Sequence, residues 1–83
     1  MVKEETWSVS LDRARKFFLA QEDVAECADG FAYGSCRIRV TELEPRDLGI
    51  WAAPRVKICL EGREEDVRAI YRRFLIQFLS TGG

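Results

Sequence analysis

The chain has 83 residues, 47% hydrophobic and 33% charged, a balance that describes one small folded domain over residues 1–83 and excludes a disordered tail. Acids and bases nearly cancel, leaving a net charge of −1, so no overall field steers the protein toward nucleic acid or an anionic membrane. There is no histidine, which excludes Ser-His and Cys-His nucleophile pairs, imidazole base catalysis and His-containing zinc sites.

The three cysteines, Cys27, Cys36 and Cys59, are odd in number and contain no CxxC pair, so neither a disulfide framework nor a redox motif nor a metal site is expected. No apolar run approaches the roughly 18 residues of a membrane span. The opening Met1-Val2-Lys3-Glu4-Glu5 is too polar and acidic to begin a signal peptide, and the expectation is a cytoplasmic protein. A domain of this size buries only about 60–65% of its unfolded surface, which makes self-association an expectation from the start.

In chain order, Thr6 to Leu11 alternates, with Trp7, Val9 and Leu11 on one side, and reads as a short half-buried strand. Ser10 can cap a helix with Asp12 in its first turn, where the dipole favours a carboxylate. Leu11, Ala14, Phe17, Phe18, Val24, Ala25 and Ala28 keep a helical stripe that predicts a long helix ending before Gly30. The competing reading stops the helix near Gln21 and makes residues 24–28 a strand that turns through Asp29-Gly30 into the next.

Phe31 to Leu43 is the clearest strand, with Phe31 and Tyr33 in one parity and Cys36, Ile38 and Val40 in the other, so a bulge or turn is placed at Gly34. Thr41 to Pro45 is expected to end it, because Pro45 lacks a donor and biases Glu44 away from helix. Residues 47–54 form a loop of unusual content, in which Leu48, Ile50 and Trp51 lie among Gly49, Ala52, Ala53 and Pro54. Val56, Ile58 and Leu60 then alternate with Lys57, Cys59 and Glu61 in a second strand. From Glu64 to Leu79, Val67, Ile70, Tyr71, Phe74, Leu75, Phe78 and Leu79 fall on one helical stripe behind three acidic residues at the positive end.

The fold class that follows is α+β, a two-layer sandwich in the order β-α-β-β-α. Its mainly antiparallel sheet has three strands, or four if residues 24–28 are a strand, with both helices on one face. Such a sheet leaves its second face open, carrying Arg37, Arg39 and Lys57; with Tyr33 as the nearest aromatic, these are the candidates for a nucleic-acid-binding face. Partner-binding candidates are Leu48, Ile50 and Trp51 in the apolar loop and Ile76 on the flank of the last helix. Trp51 either closes over the small core as a lid or stands out as an anchor, and Ile76 is either covered by the neighbouring helix or adds to a contact surface.

The carboxylates Glu22, Asp23, Glu26 and Asp29 are spaced as a solvated face, and no glycine-rich phosphate loop is present, so no catalytic residue, cofactor or small-molecule substrate is assigned. The terminal Gly82-Gly83 resembles the diglycine tail of ubiquitin-like sulfur carriers, which implies activation as an acyl adenylate. The resemblance is two residues long, and in those proteins the tail leaves a strand, whereas here it follows a helix. The function expected is a non-catalytic interaction or assembly module that pairs with itself, as a homodimer, or with another protein; nucleic-acid binding is the alternative.

Overall fold

The computed structural model describes residues 1–79. Its elements run β1 (Val2–Trp7), α1 (Leu11–Leu19), β2 (Ala25–Cys27), β3 (Gly30–Tyr33), β4 (Cys36–Asp47), β5 (Ala52–Glu61) and α2 (Glu64–Leu79). The strands form one antiparallel sheet in the order β1-β5-β4-β3-β2, and the two helices pack on one face of it. The two-layer α+β class is as expected. The strand count is five rather than three or four, and the order is β-α-β-β-β-β-α.

Each additional strand has an identifiable cause. α1 stops at Leu19, and Gln21 folds its amide back to donate to the Phe17 carbonyl at 3.2 Å, which closes the helix end a turn after the aromatic pair Phe17-Phe18. The long helix is therefore not formed; Ala25–Cys27 pairs with β3 across a tight turn at Ala28-Asp29. The stretch read as one strand from Phe31 is two, because Gly34 adopts φ +55° and reverses the chain so that Tyr33 pairs with Cys36. This turn is tied to α2: Ser35 donates to the Asp66 carboxylate from its backbone N–H (2.9 Å) and its hydroxyl (2.6 Å), and the Arg63 N–H donates to the Ser35 hydroxyl (2.9 Å).

At the other edge, the polar opening of the chain is itself a strand. Its helix-side positions are Lys3, Glu5 and Trp7, which pair with Leu60, Ile58 and Val56. Lys3 and Glu5 settle there by forming an ion pair at 3.4 Å and engaging Tyr71 of α2, the ammonium over its ring at 4.4 Å and the carboxylate accepting its hydroxyl at 2.6 Å. Trp7 is the only one of the three that an apolar alternation reveals.

The core lies between the sheet and the helices. Phe31, Cys36, Ile38, Val56, Ile58 and Leu60 meet Ala14 and Phe18 of α1 and Val67, Ile70, Phe74 and Phe78 of α2. Phe74 is its centre, edge-on to Trp7 (ring centroids 5.0 Å apart) and stacked on Phe18 at 5.8 Å. At roughly 1.5–3 kcal/mol per buried large side chain, this cluster supplies the driving force of the fold. Leu79, placed on the same stripe by its spacing, is 63% exposed, while Phe78 beside it in the same turn is buried.

Candidate functional site: a projecting arm

β4 and β5 outrun their neighbours. β3 accompanies β4 only as far as Ile38, and β1 accompanies β5 only from Val56 onward. Beyond those points the two long strands continue alone as a two-stranded arm, paired through Leu43↔Arg55, Arg46↔Ala53 and Asp47↔Ala52. At about 3.3 Å per residue, the four positions from Val56 to Ala52 carry the tip about 13 Å past the edge of the sheet.

Pro45 does not end β4, contrary to the expectation. The register slips between Leu43 and Arg46, so two residues, Glu44 and Pro45, oppose the single Pro54. At such a bulge a missing N–H costs no ladder hydrogen bond, and both prolines are accommodated. The Glu44 carbonyl is taken up instead by the Arg55 side chain, whose Nε donates to it at 3.0 Å.

The tip is the apolar loop. Asp47 accepts from the Gly49 N–H at 2.9 Å, the Leu48 N–H donates to the Trp51 carbonyl at 2.9 Å, and Gly49 takes φ +94°. Its side chains point outward: Leu48 is 42% exposed, Trp51 58% and Ile50 97%. Trp51 is thus not a lid on the core; the arm carries it away from the helices. Ile76, on the solvent side of α2, is 64% exposed rather than covered by α1.

These two groups lie at the same end of the molecule. α2 starts after β5 ends at Glu61 and runs back antiparallel to it, and its Phe74 meets Trp7, the partner of Val56, where the arm begins. Arg13, in the first half of α1, sits over the ring of Phe78 at 5.6 Å and marks the same end.

The open face of the sheet is different in kind. Arg37, Arg39 and Lys57 all lie on it, as expected from their parity, but carboxylates are interleaved with them: Arg39 reaches Asp29 at 3.8 Å, Lys57 reaches Glu4 at 4.0 Å and Arg37 is paired in register with Glu61. Tyr33 is not with them. It lies on the helix side, packed against the core with the Arg73 guanidinium over its ring at 5.0 Å, because the turn at Gly34 restores the parity that a simple bulge shifts. Nucleic-acid sheet faces combine a positive field with stacking rings, and this face has a mixed field.

The cysteines are free and separate: Cys36 is buried among the core residues, Cys59 lies on the open face and Cys27 is exposed on β2. Burial pushes the Cys36 thiol up and keeps it protonated. Among the described residues no group of three or more potential metal ligands converges. A void of about 10 Å³ beside Lys3, Glu5, Tyr71 and Phe74 has room for a single water. Among the described residues no helix is long and apolar enough to cross a membrane. The diglycine Gly82-Gly83 lies outside the described residues.

No known protein family, curated protein or solved structure gives a significant match to the chain.

Two features are hidden from the residue pattern. Spacing alone makes the arm strands a strand end and a loop, although the two prolines flanking an apolar turn at matched distances mark a hairpin with a bulge. The Lys3-Glu5-Tyr71 cluster leaves no periodic signal at all.

Proposed function

We propose that the protein is a non-catalytic assembly module that forms a homodimer through the β4–β5 arm. The observation that supports this reading most is that an apolar-tipped ribbon extends beyond the strands that flank it. A two-stranded ribbon is marginal in water by itself, and an exposed Trp-Ile-Leu group at its end is the composition of an interface anchor. The residues that carry the function are Leu48, Ile50 and Trp51, with Ile76 at the same end. Catalysis has no general base of the usual kind to draw on in a chain without histidine.

Light scattering over a wide concentration range tests the reading. The wild-type chain is expected to pass from monomer to dimer, while a variant with Leu48-Gly49-Ile50-Trp51 replaced by Asn-Gly stays a folded monomer. A wild-type chain that remains monomeric up to millimolar concentration removes the homodimer.

A further inference from the structure

We infer that the free edge of β1 pairs antiparallel with β1 of a second copy, with Glu4 at the two-fold axis, so that two five-stranded sheets join edge to edge. This contact goes beyond the arm reading and uses a different surface.

The phase of the β1–β5 ladder decides what the edge offers. Met1 and Gly62 exchange both backbone hydrogen bonds, the Met1 amino group donating to the Gly62 carbonyl at 2.8 Å and the Gly62 N–H to the Met1 carbonyl at 3.0 Å. Bonded pairs alternate along an antiparallel ladder, so Lys3, Glu5 and Trp7 also turn their backbone groups toward β5. Val2, Glu4 and Thr6 turn theirs outward, and none of the described residues takes up those three N–H and three C=O groups. β1 is the outermost strand, with neither proline nor bulge over its six residues. At the opposite edge β2 has only three residues, and the free flanks of the arm carry Pro45 and Pro54 at the bulge.

Hydrogen bonding and charge select the same register. A two-fold axis at Glu4 sets Val2, Glu4 and Thr6 against Thr6, Glu4 and Val2 of the second copy and uses all six outward groups on each strand. An axis at Lys3 or at Glu5 uses only four of them. The Glu4 axis also sets Lys3 against Glu5 of the second copy, twice, on the helix-facing side, whereas the alternatives set Lys3 against Lys3 or Glu5 against Glu5. Within one chain Lys3 and Glu5 are already neighbours at 3.4 Å beside Tyr71, so the four charges alternate in sign around the axis. Inward charges on an edge strand turn away a foreign apolar strand; here they match one of identical sequence. The one like-charge pair is Glu4 against Glu4 on the open face, where each carboxylate has Lys57 at 4.0 Å.

Six residues on a side fall well short of the roughly 800 Å² per partner of a stable interface, so this is the weaker self-contact. The arm-replaced variant is therefore still monomeric over the range in which the wild type becomes a dimer. Above that range arm dimers, each carrying two β1 edges, join into tetramers and longer assemblies.

Sedimentation velocity above that range reads this second step, and the wild-type mass is expected to rise past the dimer. Glu4→Pro removes an N–H that β5 does not use, so it is expected to keep the fold and abolish the rise. Lys3→Glu and Glu5→Lys each set like charges opposite one another twice and are expected to weaken the step by about tenfold. Mixed in equal amounts they are expected to recover it, because every position 3 then faces a position 5 of opposite sign. Glu4→Gln is expected to tighten it by relieving the like pair. Circular dichroism confirms that each variant is folded. A wild type that stops at the dimer, a folded Glu4→Pro variant that still rises, or a mixture that does not recover overturns this inference and leaves the arm reading standing. Arm-replaced chains that associate as tightly as wild type, with association lost on Glu4→Pro, overturn the arm reading and keep this one. A chain that is monomeric throughout removes both.

Discussion

β4 and β5 pass through two environments along their length. Over Cys36–Ile38 and Val56–Leu60 they are the middle of the sheet, flanked by β3 and β1 and roofed by aromatic side chains from both helices. Over Leu43–Asp47 and Ala52–Arg55 the same two strands keep their ladder but, among the described residues, have no further strand beside them. Ala53 is the one buried apolar residue of this second part, and it stands outside the main cluster. Ladder hydrogen bonds contribute little net once water is counted, so what separates the two parts is burial, and burial assigns stability to one and availability to the other.

The largest test of that division is a pair of truncations. Phe74→Ala removes the ring that joins Trp7, Phe17, Phe18 and Phe78 and is expected to cost about 3–5 kcal/mol, most of the stability of a domain this small. Trp51→Ala, at concentrations where the chain is monomeric, is expected to move stability by less than about 0.5 kcal/mol. Urea unfolding followed by circular dichroism reads both, and equal losses would erase the distinction between body and arm.

Two glycines sharpen it at the next level. Gly30 holds φ +155° inside the sheet, and a Cβ there would lie 2.0 Å from the Ile38 carbonyl oxygen on the neighbouring strand. Gly30→Ala is expected to cost about 2–3 kcal/mol, since clash is added to backbone strain. At the arm tip Gly49 holds φ +94° with nothing within 4 Å of the same position. Only strain is incurred there, and Gly49→Ala is expected to cost about 1 kcal/mol. Thermal melts of the two variants side by side give the comparison.

What the pattern of residues reveals follows the same line. α2 is legible from Glu64 to Leu79, because Val67, Ile70, Phe74 and Phe78 must all face one buried surface and a 3.6-residue period records that demand. The inner part of β5 is legible for the corresponding reason, one face dry and one wet. β1 is not, since an edge strand can set Lys3 and Glu5 on its inner side and satisfy them by pairing with each other and with Tyr71. The true end of β4 is hidden too: Pro45 is a stop signal in a regular strand and an ordinary residue at a bulge, and the register that decides between them depends on β5. Of the candidate site, Leu48, Ile50 and Trp51 were conspicuous as apolar residues in a turn, but that they stand clear of the core depends on where β1 and β3 end, which is a property of pairing and not of the arm itself.

The Tyr71–Glu5 contact provides a smaller perturbation at the edge of the body. Tyr71→Phe deletes a 2.6 Å hydrogen bond between α2 and β1 and is expected to cost about 0.5–1.5 kcal/mol. Burial first, and then the Glu5 carboxylate, push the Tyr71 phenol up to about 12 from its ordinary 10.0. The group is held neutral in the fold while the unfolded chain ionises earlier, so its contribution is whole below pH 10 and is lost as pH rises from there toward 12. The difference in stability between wild type and Tyr71→Phe should therefore shrink across that alkaline window, and a difference that stays constant would show that the phenol ionises as freely folded as unfolded.

The smallest effect is expected at Asp66, where α2 is pinned to the β3–β4 turn. Hydrogen bonds from the Ser35 hydroxyl and N–H, with the nearby Arg63 charge, hold its carboxyl below the usual carboxylate range. A depressed folded value means that the ionised form stabilises the fold: the contribution is present above the unfolded carboxylate pKa and is lost as pH falls below about 4. Asp66→Asn should lower the melting temperature slightly at pH 7 and flatten the acid limb, because the amide keeps an acceptor for Ser35 but carries no charge to lose. Asp23, held low by its two hydrogen bonds from Arg73 at 2.7 and 2.9 Å, adds a second contribution of the same sign. Both carboxylates tie the body together and neither touches the arm, so in a dimer built through the arm these substitutions should shift melting without shifting the dissociation constant. A change in dissociation equal to that of the arm variants would mean that body and arm are not independent.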